Sequence, residues 1–140
     1  MDDKVRALLI DMHRAVESIA AKSAAEINKP EDGLWYPPNG GLTAEESRAL
    51  AMLQMSPALE GALRKVIANA AATPLFRLFA CLDGVADPEG YSGDWNGLSI
   101  GEPLEDHPSE MLHDEFTESY WSWRALRRDP GWKLDLYEPQ

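Results

Sequence analysis

Residues 73–84 read Thr-Pro-Leu-Phe-Arg-Leu-Phe-Ala-Cys-Leu-Asp-Gly, and their reading decides the fold. Threonine caps free amides at a helix start, and proline suits the first helical position because its missing N–H would be unpaired there anyway. Thr73-Pro74 is therefore expected to open a helix. Leu75, Leu78, Phe79 and Leu82 form one stripe on it, while Phe76 and Ala80 lie off that stripe. A helix apolar on most sides is a buried one, so this segment is expected to be the central helix around which the others pack. Gly84 after Asp83 reads as its stop.

The charge pattern changes where this helix ends. Between Leu78 and Trp123 there is no lysine or arginine, but there are eleven acids, equal to the whole formal net charge of −11. A run of like charge is in the simplest case a solvated surface. It also attracts a basic partner or a cation and repels nucleic acid.

At 140 residues the chain is expected to form one domain, 1–140, with a real core. Hydrophobic content of 44% and five tryptophans fit a folded globule. The N-terminus alternates charged and apolar residues and lacks the pattern of a signal peptide. No uninterrupted apolar run reaches the roughly 18 residues that span a bilayer. Cys81 is the single cysteine, and it sits in the apolar segment as a small core residue. These features point to a cytoplasmic protein without a membrane partner.

Outward from the central segment, three more helices are expected before it. The first runs from about Asp2 to Ile27, with Val5, Leu8, Leu9, Met12, Val16, Ile19, Ala20, Ser23 and Ile27 at helical spacing. Its His13 and Glu17, four residues apart, read as a solvated pair. Residues 28–42 break the helix with proline and glycine. Leu34, Trp35 and Tyr36 lie within that loop. Trp35 could dock a partner, but the simpler expectation is that it folds inward and pins the loop. Thr43-Ala44-Glu45-Glu46 is a capping box that opens a helix to about Gln54, and Ser56-Pro57 opens another.

Beyond Gly84, Trp95 to Ile100 alternates well enough for a short strand, as does Trp132 to Tyr137, and the two are expected to pair. A last helix is expected from Ser109 to about Arg128, with Leu112, Phe116, Tyr120 or Ser119, Trp123 and Leu126 buried and Trp121 off the stripe. The expected fold is mainly α with a minor β part: a single-domain bundle of about five helices and a small two-stranded element near the C-terminus.

The motifs mark no familiar chemistry. There is no nucleophile elbow, P-loop or dinucleotide fingerprint. Asp83 to Asp94 has an acid at each end of twelve residues, but Pro88 stands where a calcium loop needs glycine. An irregular site of Asp83, Asp87 and Asp94 is the alternative to a plain aspartate-rich turn. Glu110 and His113 stand at i, i+3, with His107 nearby, which suits a divalent metal, but such sites need ligands from other helices too. Three arginines follow the aromatics Tyr120, Trp121 and Trp123, and fit a helix C-terminus.

The functional expectation is a small acidic protein-binding module, of the inhibitor or immunity type, for a basic protein. Opposed charge speeds encounter and selects partners. Its contact residues are expected to be Asp83, Asp87, Glu89, Asp94 and Glu105, with Trp95 or Trp35 as aromatic anchor. No cofactor and no nucleic acid are expected, and a homodimer fits the charge pattern. The alternatives are a metal-dependent enzyme or metal-binding protein centred on His107, Glu110 and His113, and a structural subunit without activity.

Overall fold

A computed structural model describes residues 3–29, 34–38, 40–98, 121–122 and 125–126. They fall into two compact units, one of residues 1–27 with 54–101 and one of residues 28–53 with 102–140. The described part is mostly helical, with helices α1 (Asp3–Glu26), α2 (Ala44–Ala51) and α3 (Pro57–Leu82).

The first unit is built from α1 packed on α3. Ser56 caps α3, its hydroxyl accepting the Leu59 N–H at 3.1 Å, and Pro57 stands in the first turn, as expected. The expectation for Thr73-Pro74 is corrected: no helix starts there, and α3 runs through Pro74 as one helix of 26 residues. An interior proline costs about 3 kcal/mol relative to alanine and strips the carbonyl four residues back of its partner. That carbonyl belongs to Ala70 on an exposed turn, where water can serve it. The neighbouring Thr73 hydroxyl donates to the Asn69 carbonyl at 2.8 Å.

What offsets the proline is the apolar row that continues beyond it. Leu59, Leu63, Ile67, Ala71, Leu75 and Phe79 follow at steps of four without a break, and all are half-buried. Leu75, Phe79 and Leu82 lie beyond Pro74 and are half-buried too. At about 1 kcal/mol or more for each half-buried large side chain, those three together match the proline cost.

The stripe of α1 also shifts from expectation. Leu9, Met12, Val16 and Ile27 are half-buried, and Ala20 and Ala24 are fully buried. Val5, Leu8, Ile19 and Ser23, expected inside, are exposed, and Ala24 takes the place of Ser23. Two alanines one turn apart let a neighbouring helix approach closely, which larger residues would prevent. The expectation that other helices surround α3 is corrected within this unit. Val66, Phe76 and Leu78 are 66%, 78% and 50% exposed. As one continuous helix, α3 also contains a window with mean hydropathy 1.3, long and apolar enough by length and composition to cross a membrane.

In the second unit the Thr43 capping box forms as expected. The Thr43 N–H donates to Glu46 Oε2 at 2.7 Å and the Glu46 N–H donates to Thr43 Oγ1 at 3.2 Å. The helix ends at Ala51, three residues before the expected Gln54. Trp121, Ser122, Ala125 and Leu126 are helical, within the span expected for the last helix. Leu126 is 77% exposed and Trp121 half-buried, the reverse of the expected stripe. Trp95 to Leu98 is irregular rather than a strand. Its expected partner, Trp132 to Tyr137, lies outside the described residues.

Candidate functional site

The residues brought together are those of the loop 83–98, which folds back over the end of α3. The helix stops as expected at Asp83 and Gly84. Gly84 takes φ +71° and donates to the Cys81 carbonyl at 3.1 Å, while Val85 donates to Ala80 at 3.0 Å. This crossed pair of bonds satisfies carbonyls that the helix itself leaves open.

The loop then returns to the same helix end. The Leu98 N–H donates to the Leu82 carbonyl at 3.0 Å, and the Trp95 indole Nε1–H donates to the Cys81 carbonyl at 2.8 Å. Tyr91 meets the Trp95 ring edge-on, with centroids 5.6 Å apart. A bond from the Arg77 guanidinium to the Asp87 carbonyl, 3.4 Å long, ties the outer part of the loop. Two glycines make the return possible. A Cβ on Gly84 would lie 2.9 Å from the Asn96 carbonyl carbon, and one on Gly97 would lie 2.9 Å from the Gly84 nitrogen. Both glycines also take positive φ, which side chains with a Cβ resist.

On this anchored loop Asp83, Asp87, Glu89 and Asp94 are all exposed. Asp83 is the C-cap of α3, at the negative end of the helix dipole, where acids are disfavoured and cations favoured. Asp83 therefore holds negative charge where the helix field already has that sign. Trp95, expected as an aromatic anchor, is half-buried with its indole N–H committed to Cys81.

Trp35 lies in the second unit and is 69% exposed, which corrects the expectation that it folds inward. Leu34 and Tyr36 beside it are 56% and 40% exposed, and the Trp35 and Tyr36 rings meet edge-on at 6.0 Å. The buried anchor of this loop is Pro37, joined to Tyr36 by a cis peptide bond. Its carbonyl accepts the Gly40 N–H at 2.8 Å, and its ring leaves no space for a Cβ on Gly40.

Glu105, His107, Glu110 and His113 lie outside the described residues. Among the described residues no group of three or more histidine, cysteine, aspartate or glutamate side chains is placed to hold a metal ion. Asp83, Asp87 and Asp94 thus share a loop without converging on one point. His13 and Glu17 are both exposed on α1, as a solvated pair would be.

Sequence reasoning missed the non-local anchors: Arg77, and the indole of Trp95 reaching back fourteen residues. The pairing of Gly84 with Gly97 was the available signal, since a glycine at each of two distant points suits a close backbone approach. The chain matches no protein-family model, no curated protein and no solved structure.

Proposed function

We propose that the chain is a cytoplasmic, non-enzymatic protein-binding module whose acidic loop 83–98 engages a basic protein. The observation behind this reading is the anchored loop. Four exposed acids are carried on backbone fixed by Trp95, Leu98, Arg77 and two glycines. A fixed scaffold lowers the ordering cost of binding, and a concentrated negative field raises the encounter rate with a positive partner. Asp83, Asp87, Glu89 and Asp94 are the contact residues, with Glu105 added from the same acidic segment. Trp95 serves as support for the loop; Trp35, the other expected aromatic anchor, is exposed on the second unit. This is the physics of an inhibitor that neutralises a basic protein, and it disfavours nucleic acid as the ligand.

The test is a pull-down with the full chain from lysate of the source organism at low and at high salt. A basic protein held at low salt and released at high salt is the expected result. Retention that ignores salt, or capture of acidic proteins only, contradicts the reading.

A further inference from the structure

We propose that Asn96–Gly97 is a deamidation site held in check by the docked loop, and that its isoaspartyl product releases the loop from the end of α3. An Asn-Gly pair closes a succinimide readily, because glycine has no Cβ to shield its amide nitrogen from the asparagine side chain. Asn96 is exposed. Among the described residues the Gly97 N–H enters no hydrogen bond, whereas the Gly84 N–H of the facing Asp83–Gly84 pair donates to the Cys81 carbonyl at 3.1 Å. The Asp83 carboxylate is also a poorer electrophile than a neutral carboxamide. Asn96 is therefore the reactive member of the two pairs that meet here.

The reaction needs only water and base. The Gly97 nitrogen gives up its proton to base and attacks Asn96 Cγ. The N–Cγ bond forms, the Cγ–Nδ2 bond breaks, and the amide nitrogen takes up a proton and leaves as ammonia. Water then opens the ring. Attack at Cγ leaves aspartate on an unaltered main chain. Attack at the Asn96 main-chain carbonyl carbon leaves isoaspartate, with the chain now running through Cβ and Cγ. One methylene, about 1.5 Å of chain, has entered the backbone.

Docking opposes ring closure and does not survive the isoaspartyl product. Closure turns the Asn96 carbonyl and the Gly97 nitrogen about the Asn96 backbone, and both pack on Gly84. A Cβ on Gly84 would lie 2.9 Å from the Asn96 carbonyl carbon and 3.1 Å from the Gly97 nitrogen. Bonds on both sides fix the segment: Trp95 Nε1–H to the Cys81 carbonyl at 2.8 Å, and the Leu98 N–H to the Leu82 carbonyl at 3.0 Å. Closure therefore belongs to the opened loop. The added methylene falls between these two anchors, which grip adjacent carbonyls, so both anchors cannot be kept. Either product adds a negative charge to the loop, but only isoaspartate undocks it. The inference goes beyond the binding reading and does not depend on it.

The experiment incubates the full chain in mildly alkaline buffer and follows Asn96 by peptide mass mapping, with aspartate and isoaspartate separated by chromatography. The wild type is compared with Trp95→Phe and with the wild type in graded urea. Asn39–Gly40, in the other unit, is the internal control. Trp95→Phe removes one anchoring bond, so Asn96 should react about fivefold faster while Asn39 keeps its rate. Graded urea should speed Asn96 as the loop opens, which tests the same point without a substitution. Hydrogen exchange at the Leu98 amide reads the second half of the proposal. The isoaspartyl chain should lose protection there, while Asn96→Asp, with the same charge on a normal main chain, should retain it.

Equal Asn96 rates in the folded and unfolded chains, or in the wild type and a folded Trp95→Phe, overturn the proposal. So does an isoaspartyl chain that still protects Leu98, or an Asn96→Asp variant that has lost that protection through charge alone.

Discussion

Gly97 supports the docking of the acidic loop, and replacing it tests that docking directly. Gly97 takes φ +83°, and an added Cβ would lie 2.9 Å from the Gly84 nitrogen and 3.2 Å from the Asp83 carbonyl carbon. It would press as well on the Leu82 carbonyl oxygen, which accepts the Leu98 N–H at 3.0 Å. Alanine in left-handed backbone costs about 1–2 kcal/mol. Displacing the backbone also loses the Leu98 bond, worth about 1 kcal/mol. Gly97→Ala should therefore destabilise the chain by about 2–3 kcal/mol. The comparison is Gly90→Ala in the same loop, where φ is +85° but nothing lies within 4 Å of the added Cβ. It should cost only the backbone term, about 1–2 kcal/mol. Gly61→Ala provides the opposite sign. Gly61 is inside α3 with nothing within 4 Å, so alanine should stabilise by about 0.5–1 kcal/mol. Urea unfolding of the three variants, followed by circular dichroism, measures the differences. If Gly97→Ala proves no worse than Gly90→Ala, the loop does not pack on the end of α3, and the argument for a fixed acidic surface fails.

Three further outcomes follow from the same structure. Trp95→Phe keeps the apolar body and loses the indole bond to the Cys81 carbonyl, so it should cost about 1 kcal/mol in urea unfolding; no measurable loss would count against that bond. Pro74→Ala should stabilise by about 2 kcal/mol, the helix cost of proline less its benefit from a stiffer unfolded chain. A destabilised Pro74→Ala would show instead that α3 is not continuous there. Trp35→Ala should leave the unfolding midpoint almost unchanged because the ring is 69% exposed, whereas Pro37→Ala should lower it. The reverse order would restore Trp35 as the anchor of its loop.

The residues that were read correctly carry their information locally. The capping box at Thr43 and the Ser56-Pro57 start each depend on atoms within four residues, and the Gly84 stop lies within a turn of its helix. Thr73-Pro74 has the same local signature as Ser56-Pro57, and it was misread for that reason. What separates the two is longer in range: half-buried apolar residues continue on both sides of the proline, from Leu59 through Ala71 to Leu75, Phe79 and Leu82. Burial of single side chains was the least legible. Whether Trp35 or Pro37 anchors the loop, or Ser23 or Ala24 meets the neighbouring helix, depends on packing that spacing along one helix does not define. The acids of the candidate site were plain from charge alone. Their anchoring was not, because Trp95 and Leu98 bind carbonyls fourteen and sixteen residues back along the chain.

The central claim is that exposed acids on a fixed loop hold a basic protein. The most direct measurement sets the wild type beside a chain carrying Asp83→Asn, Asp87→Asn, Glu89→Gln and Asp94→Asn, and compares what each retains from the same lysate at low salt. The account predicts that a basic protein is retained by the wild type and lost from the neutralised chain, while the two unfold at similar urea concentrations. Equal retention by both chains would contradict it.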